Sequence, residues 1–154
     1  MNPFVGSILP RVERSFGDYE LIGKLATGGM AEIFLARKKP VDSDQPLSER
    51  GPTTAADLIV IKKVLPHLLE ESRFIAMFRD EARLASQILH PNVCRVIDSG
   101  RVAETPFIAM EYLHGVTLSR VMLRAARTKQ PLDVALAVGI LVQCCHGLHL
   151  SLIH

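Results

Sequence analysis

The sequence predicts an α+β fold in which a small sheet is followed by helices only. Five segments rich in β-compatible residues precede residue 114, and one helical pattern separates the third segment from the fourth. Beyond residue 117, apolar residues recur only at helical spacing. The chain has 154 residues, of which 48% are hydrophobic, so it is long enough and apolar enough to bury a core.

The first two predicted strands form a hairpin. Residues 19–26 and 32–37 are typical of strands. Thr27-Gly28-Gly29-Met30 between them is a turn signal, because a glycine pair supplies the positive φ that tight turns need. The preceding residues, 1–17, are predicted to be a flexible lead-in.

A third strand and a long helix come next. Residues 40–56 contain three prolines, one glycine and many small polar residues, which predicts a disordered loop. Residues 58–65 are a continuous apolar strand that contains two lysines. Ser72 is the predicted N-cap of the helix, and His90-Pro91-Asn92 stops it.

Two further strands and two helices complete the predicted elements. The strands are residues 93–97, closed by a turn at Asp98-Ser99-Gly100, and residues 106–113. The helices are residues 118–128 and 133–150, where the apolar pattern has helical spacing.

The composition excludes several classes of protein. The net charge is only +2 and aromatic residues make up 5%, with no Trp, so neither a basic surface nor stacking platforms for nucleic acid are expected. The three cysteines, at positions 94, 144 and 145, form no CxxC or His/Cys cluster, which argues against a disulfide framework or a zinc site. No secretory signal is seen, and the cytoplasm is the expected location.

A membrane span is a second interpretation of the last predicted helix. Residues 134–154 contain no Asp, Glu, Lys or Arg, and their number matches the thickness of a bilayer. Gln143, His146, His149 and Ser151 interrupt the second half of this stretch, so a helix buried inside a globular domain is favoured.

Lys62 and Glu81 are the candidate chemical pair. Lys62 lies inside an apolar strand, and Glu81 lies beside apolar helix positions such as Phe78 and Ala85. A strand lysine or a helix glutamate is most often a solvated surface residue. Here the apolar surroundings predict instead that the two residues are buried and form an ion pair within salt-bridge distance.

The chain resembles the eukaryotic-like serine/threonine protein kinases of bacteria over about residues 18–154. Four segments carry the resemblance, in order: KLATGGMAEIFLAR, VIKK, FRDEARLASQILHPNV and PFIAMEYLHGVTL. It implies a kinase N-lobe at residues 18–113, with a five-stranded antiparallel sheet and one long helix. The hinge exit and the first two helices of an incomplete C-lobe would follow at residues 114–154.

The resemblance also implies a function and a site. The expected reaction transfers the γ-phosphate of ATP to Ser or Thr hydroxyls of a protein substrate, with Mg²⁺ as cofactor. The glycine hairpin would cover the phosphates, Lys62 would contact them and Glu81 would hold Lys62. Met110 would be the gatekeeper beside the adenine. The implied ATP-binding residues are Ala26, Thr27, Gly28, Gly29, Met30, Ala31, Ile33, Ile61, Lys62, Glu81, Met110, and Glu111 and Leu113 through their main chains.

Three residues depart from the family pattern. Ala26 and Ala31 stand where the family has its first and third loop glycines. Alanine at a position that needs positive φ predicts strain in the loop. Ile61 stands where the family commonly has alanine, and its larger side chain is expected to crowd the purine.

The family's catalytic loop, His-Arg-Asp-x-x-x-x-Asn, does not occur in these 154 residues, although His154 matches its first residue. No catalytic residue and no metal ligand is therefore assigned, and the isolated chain is expected to be inactive. Two hypotheses stay open. The chain is a fragment of an active kinase, or it is a non-catalytic module that binds nucleotide or a partner such as the missing C-lobe or another kinase chain.

Overall fold

The computed structural model describes residues 14–39 and 57–153, and the side chains of residues 14–39 and 57–149. The predicted loop at residues 40–56 and most of the predicted lead-in lie outside these ranges. The described residues form two compact units. The first contains residues 14–39, 57–87 and 95–112, and the second contains residues 88–94 and 113–153.

The first unit is a six-stranded antiparallel sheet with one long helix. The sheet order is β1-β2-β3-β4-β6-β5. The strands are β1 (Ser15–Phe16), β2 (Tyr19–Thr27), β3 (Ala31–Lys38), β4 (Leu58–Val64), β5 (Val96–Val102) and β6 (Thr105–Glu111). A 3-10 turn at Pro66–Leu68 leads from β4 into helix α1 (Ser72–Ser86).

The prediction of five strands is wrong by one, because β1 lies inside the predicted lead-in. Phe16 pairs with Tyr19 of β2 across a turn in which Gly17 has φ +53°. A Cβ at Gly17 would lie 2.7 Å from Val102 Cγ2, so the turn requires glycine in both conformation and space. A two-residue strand is too short to show alternation in the sequence.

Strand β5 also differs from the prediction. Asp98, Ser99 and Gly100 belong to the strand, where Ser99 lies opposite Ile108 and Gly100 lies opposite Phe107. The chain turns later, at Ala103, which has φ 49°. Because β5 is an edge strand and largely exposed, polar residues and glycine are tolerated in it.

The sheet has a buried cluster on each face. On one face Phe107 stacks edge to face on Phe16 and Tyr19, with ring centroids 5.6 and 5.4 Å away. The other face carries α1, whose Phe78 and Ala82 pack in a second cluster. Burial and a 2.5 Å hydrogen bond to Asp98 raise the pKa of Tyr19, so its hydroxyl stays protonated.

The N-cap of helix α1 lies one residue before the predicted cap. Glu71 is the N-cap, and its side chain forms no capping hydrogen bond. Ser72 is the first helical residue instead. The position of the helix on the sheet therefore depends on the packing of Phe78 and Ala82, not on a capping side chain.

The second unit contains α2 (Leu118–Thr128) and α3 (Val134–Ile153). The Thr117 hydroxyl caps α2 by accepting a hydrogen bond from the Arg120 amide. Asn92 donates its side-chain amide to the Gln143 carbonyl at 2.9 Å. A Cβ at the buried Gly147 would lie 3.2 Å from the Asn92 carbonyl oxygen, so glycine allows α3 to approach this segment closely. None of the helices in residues 14–39 and 57–153 has the length and apolar character needed to cross a membrane.

Candidate functional site

The predicted ion pair between Lys62 and Glu81 is present. Strand β4 carries Lys62, α1 carries Glu81, and the Lys62 ammonium lies 2.5 Å from Oε1 of Glu81. The prediction that the pair is buried is wrong, because 22% of the Lys62 side chain and 46% of the Glu81 side chain are exposed. The alkyl stem of Lys62 is covered, and its ammonium lies 5.7 Å from the centre of the Phe78 ring.

The neighbours of Lys62 follow from strand register. Lys62 lies opposite Ile33 on one side and Ile108 on the other, and Val60 lies opposite Met110. Residues directly opposite each other point to the same face of a sheet, so Ile33, Val60, Lys62 and Met110 share one face.

Ile61 lies on the opposite face from Lys62, because successive strand residues alternate. It is fully buried in the cluster that contains Phe107. The expectation that Ile61 lies beside the purine and crowds it is therefore wrong. Val60, which shares the face of Lys62, is the residue that the alternation should have indicated.

The glycine hairpin closes without left-handed residues. The Gly28 amide donates to the Ala31 carbonyl at 2.8 Å, and the Leu65 amide donates to the Met30 carbonyl at 3.0 Å. Neither Gly28 nor Gly29 has positive φ. The expectation of positive φ in this turn is therefore wrong.

The expected strain at the flanking alanines is also absent. In the described ranges the positive-φ residues other than glycine are Ala103 and Lys129, so Ala26 and Ala31 are unstrained. Gly29 has no atom within 4 Å of an added Cβ, and Gly28 has only the Ala31 carbonyl oxygen at 3.6 Å. The tip, from Ala26 to Met30, is exposed, and among the described residues no side chain other than those of chain neighbours lies within 4 Å of an added Cβ at Gly28 or Gly29.

A second charged cluster, which the sequence interpretation missed, lies on the other face of the same strands. Glu32 pairs with Lys24 at 2.6 Å and with Lys63 at 3.5 Å. Lys63 also lies over the Phe34 ring, 4.7 Å from its centre. Burial alone would raise the pKa of Glu32, but the hydrogen bond to Lys24 and the charge of Lys63 outweigh it, so the pKa lies below its ordinary value. The two adjacent lysines of the VIKK segment could have indicated this cluster, because successive residues of a strand face opposite sides of the sheet.

The end of β6 is held by the segment that precedes β5. The Glu111 amide donates to the Arg95 carbonyl at 3.0 Å, and the Glu111 carboxylate accepts from the Arg95 amide at 2.7 Å. Met110 packs against the cluster around Phe78. Leu113, 62% exposed, belongs to the second unit.

The fold and these motifs correspond to a known family. Residues 19–152 match the family described as protein tyrosine and serine/threonine kinase. The match covers most of the chain, and the chain belongs to the protein kinase family.

Its relatives include bacterial kinases. The chain is 38% identical over 136 residues to Tyrosine-protein kinase MasK of Myxococcus xanthus. It is 33% identical over 132 residues to Serine/threonine-protein kinase pkn3 of the same species. It is also 31% identical over 138 residues to Serine/threonine-protein kinase PknB of Mycobacterium tuberculosis. These alignments cover 88%, 84% and 86% of this chain but 19%, 21% and 19% of the relatives, so the chain spans about a fifth of their length.

Solved structures show the same fold. The crystal structure of the Mycobacterium tuberculosis PknI kinase domain superposes with a TM-score of 0.62 at 23% identity, over 89% of this chain and 49% of that one. The expected kinase-like α+β architecture is confirmed.

Proposed function

We propose that this chain is the ATP-binding part of a serine/threonine protein kinase, which transfers the γ-phosphate of ATP to protein hydroxyls in the cytoplasm. The observation that carries the proposal is the 2.5 Å pair between Lys62 of β4 and Glu81 of α1, in the same unit as the exposed glycine hairpin that joins β2 and β3. A compact ammonium held by a carboxylate is a fixed positive charge suited to phosphate oxygens.

The remaining residues have roles consistent with this proposal. The exposed hairpin tip, formed by Thr27, Gly28, Gly29 and Met30, would approach the phosphates, with Ala26 and Ala31 framing the turn. The adenine would lie against the apolar face that carries Ile33, Val60 and Met110.

The hinge contacts would come from the main chains of Glu111 and Leu113. The Glu111 amide already donates to Arg95, so its contribution to the adenine edge would be through the carbonyl oxygen.

Phosphoryl transfer would need residues outside these 154. The chain contains no His-Arg-Asp motif. In the described ranges, no group of three His, Cys, Asp or Glu side chains could hold a metal ion. We therefore assign no Mg²⁺ ligand among the described residues and no step of the reaction to the metal here.

Two kinds of acceptor residue are candidates, Ser or Thr on the one hand and Tyr on the other. The relatives pkn3 and PknB are named serine/threonine-protein kinases, which supports Ser or Thr. MasK, named a tyrosine-protein kinase, is 38% identical and favours Tyr as the alternative.

A non-catalytic module that binds nucleotide or another kinase chain is the second candidate function. The same Lys62–Glu81 pair and exposed hairpin would bind nucleotide in such a module.

A phosphate-transfer assay on the full-length protein tests the proposal. We expect label from γ-labelled ATP to appear on Ser or Thr of a generic protein acceptor, identified by phosphoamino acid analysis. Lys62→Met should abolish the transfer, and residues 1–154 alone should give none. Label on Tyr only would overturn the Ser/Thr assignment. ATP binding by the full-length protein without transfer would favour the non-catalytic module.

A further inference from the structure

An arginine face runs along helix α2. Arg120, Arg124 and Arg127 lie at positions i, i+4 and i+7, and all three side chains are exposed. They line an open groove of about 570 Å³, together with Thr128 and the apolar side chains of Val116, Val121 and Leu123.

The positive charge of this face has no local counter-charge. Residues 112–132 contain four Lys and Arg residues and no Asp or Glu. Within the part of the chain that the structure describes, none of the three guanidinium groups forms an ion pair. An arginine cluster of this kind attracts anionic groups.

The larger groove of the first unit provides a contrast. It has a volume of about 610 Å³, lies between α1 and strands β5 and β6, and is also lined by arginines. There, however, Arg101 pairs with Glu104, and Asp80 lines the same groove. Of these two grooves, only the α2 groove has several arginines and no carboxylate in its lining.

The arginines point away from the apolar side of α2. At 3.6 residues per turn, Arg120, Arg124 and Arg127 fall on one side of the helix. Leu118 and Met122 fall on the opposite side, as expected for an amphipathic helix. The arginine face therefore stays accessible when the apolar side is covered.

The spacing of the arginines fits an extended acidic peptide. Arg120 and Arg127 are about 10 Å apart along the helix axis, the length of about three residues of an extended chain. Guanidinium groups bind carboxylates in a bidentate geometry. The apolar side chains that line the groove would contact one apolar residue of such a peptide.

The face lies near the predicted adenine-binding hinge along the chain. Leu118, the first residue of α2, is five positions after Leu113 in the same unit, so the two lie at most about 18 Å apart. We infer that the arginine face of α2 binds an acidic segment of the protein substrate and thereby selects substrates with Asp or Glu near the acceptor. This inference rests on the proposed kinase function.

Peptide binding to the full-length protein tests the inference. The probes are a fluorescent serine peptide with three acidic residues and a matched peptide in which Gln and Asn replace them. The variant is Arg120→Gln/Arg124→Gln/Arg127→Gln. The control is Arg73→Gln/Arg79→Gln/Arg83→Gln, which removes the same charge from exposed positions of α1.

We expect the α2 variant to weaken binding of the acidic peptide about tenfold, the combined effect of three exposed ion pairs. Its affinity for ATP and for the neutral peptide should stay the same, and so should all affinities of the α1 control. An unchanged affinity for the acidic peptide overturns the inference, as does an equal loss in the α1 control.

Two further readouts separate the alternatives. Arginine-dependent binding of the acidic peptide by a protein that transfers no phosphate would support the arginine face as a docking site and refute the proposed kinase function. Vesicles containing phosphatidylglycerol test a membrane surface as the anionic partner. Arginine-dependent binding to vesicles, with no arginine dependence for the peptide, would assign the face to lipid and overturn the inference.

Discussion

The two adjacent lysines of β4 allow a matched test of the ATP site. Lys62 faces α1 and Glu81, whereas Lys63 faces Glu32 and Phe34 on the other side of the sheet. Lys62→Met removes a charge that the proposal places on phosphate. A hydrogen bond to a charged group contributes about 1.5–3 kcal/mol, so ATP affinity should fall by about 10- to 150-fold. Adenosine, which has no phosphate, should bind within about twofold of its original affinity.

The stability of the same variant should change little. Nearly half of the Glu81 side chain is exposed, so its carboxylate stays hydrated when Lys62 is removed. An exposed ion pair contributes about 0.2–1 kcal/mol, well below the cost of breaking a buried pair. The measurement is thermal unfolding of the full-length protein without ligand.

Lys63→Met is the control. It removes a 3.5 Å ion pair and a cation–π contact, so it should lower the free energy of unfolding by about 1 kcal/mol. The ratio of ATP affinity to adenosine affinity should not change. Calorimetric titrations of both ligands into the wild-type protein and both variants decide the matter. Equal loss of ATP and adenosine in Lys62→Met, or the same selective loss in Lys63→Met, would refute the assignment of Lys62 to the phosphates.

Three further predictions follow from the packing and the charges. Glu32 has a lowered pKa, so its charge stabilises the fold at neutral pH, and this stabilisation is lost as the pH falls through the lowered pKa. In denaturant titrations, the stability difference between wild type and Glu32→Gln should therefore be constant near neutral pH and shrink in acid; a constant difference down to pH 3 would contradict this. Phe107→Ala removes a buried ring with two edge-to-face partners and should cost about 3–5 kcal/mol, measured by urea unfolding against exposed Leu25→Ala as control. Residues 1–154 expressed alone should form oligomers in light scattering, because α3 exposes Leu136, Val138 and Leu141 by more than half; a monodisperse monomer would contradict this prediction.

The sequence predicted best the elements with a strong local pattern. Helix α2 begins and ends where the apolar spacing indicated, at Leu118 and Thr128, because one side of it is apolar and the other carries arginines. The Lys62–Glu81 pair was also predicted, since an apolar strand and an apolar helix stripe left few other partners for either charge.

The sequence could not determine features that depend on packing between distant segments. The exposure of Glu81 depends on how α1 lies against the sheet, which helical spacing does not specify. The polar residues Asp98 and Ser99 resemble a turn, and only their pairing with β6 makes them a strand. The error about Ile61 was avoidable. Successive residues of a strand face opposite sides of the sheet, so the sequence alone places the Ile61 and Lys62 side chains on different faces.

The strand order of the sheet affects how the chain folds during synthesis. Strands β2, β3 and β4 pair with one another in the order in which they are synthesised. The second edge of β4 pairs with β6, which is synthesised later. Forty residues separate Val64 from Thr105, so the apolar strand Leu58–Val64 has an unpaired edge until translation has passed Glu111. An open apolar edge pairs readily with other chains, and non-local pairing is slow. The interval between synthesis of β4 and of β6 is therefore when the nascent chain is most exposed to aggregation and to chaperone binding.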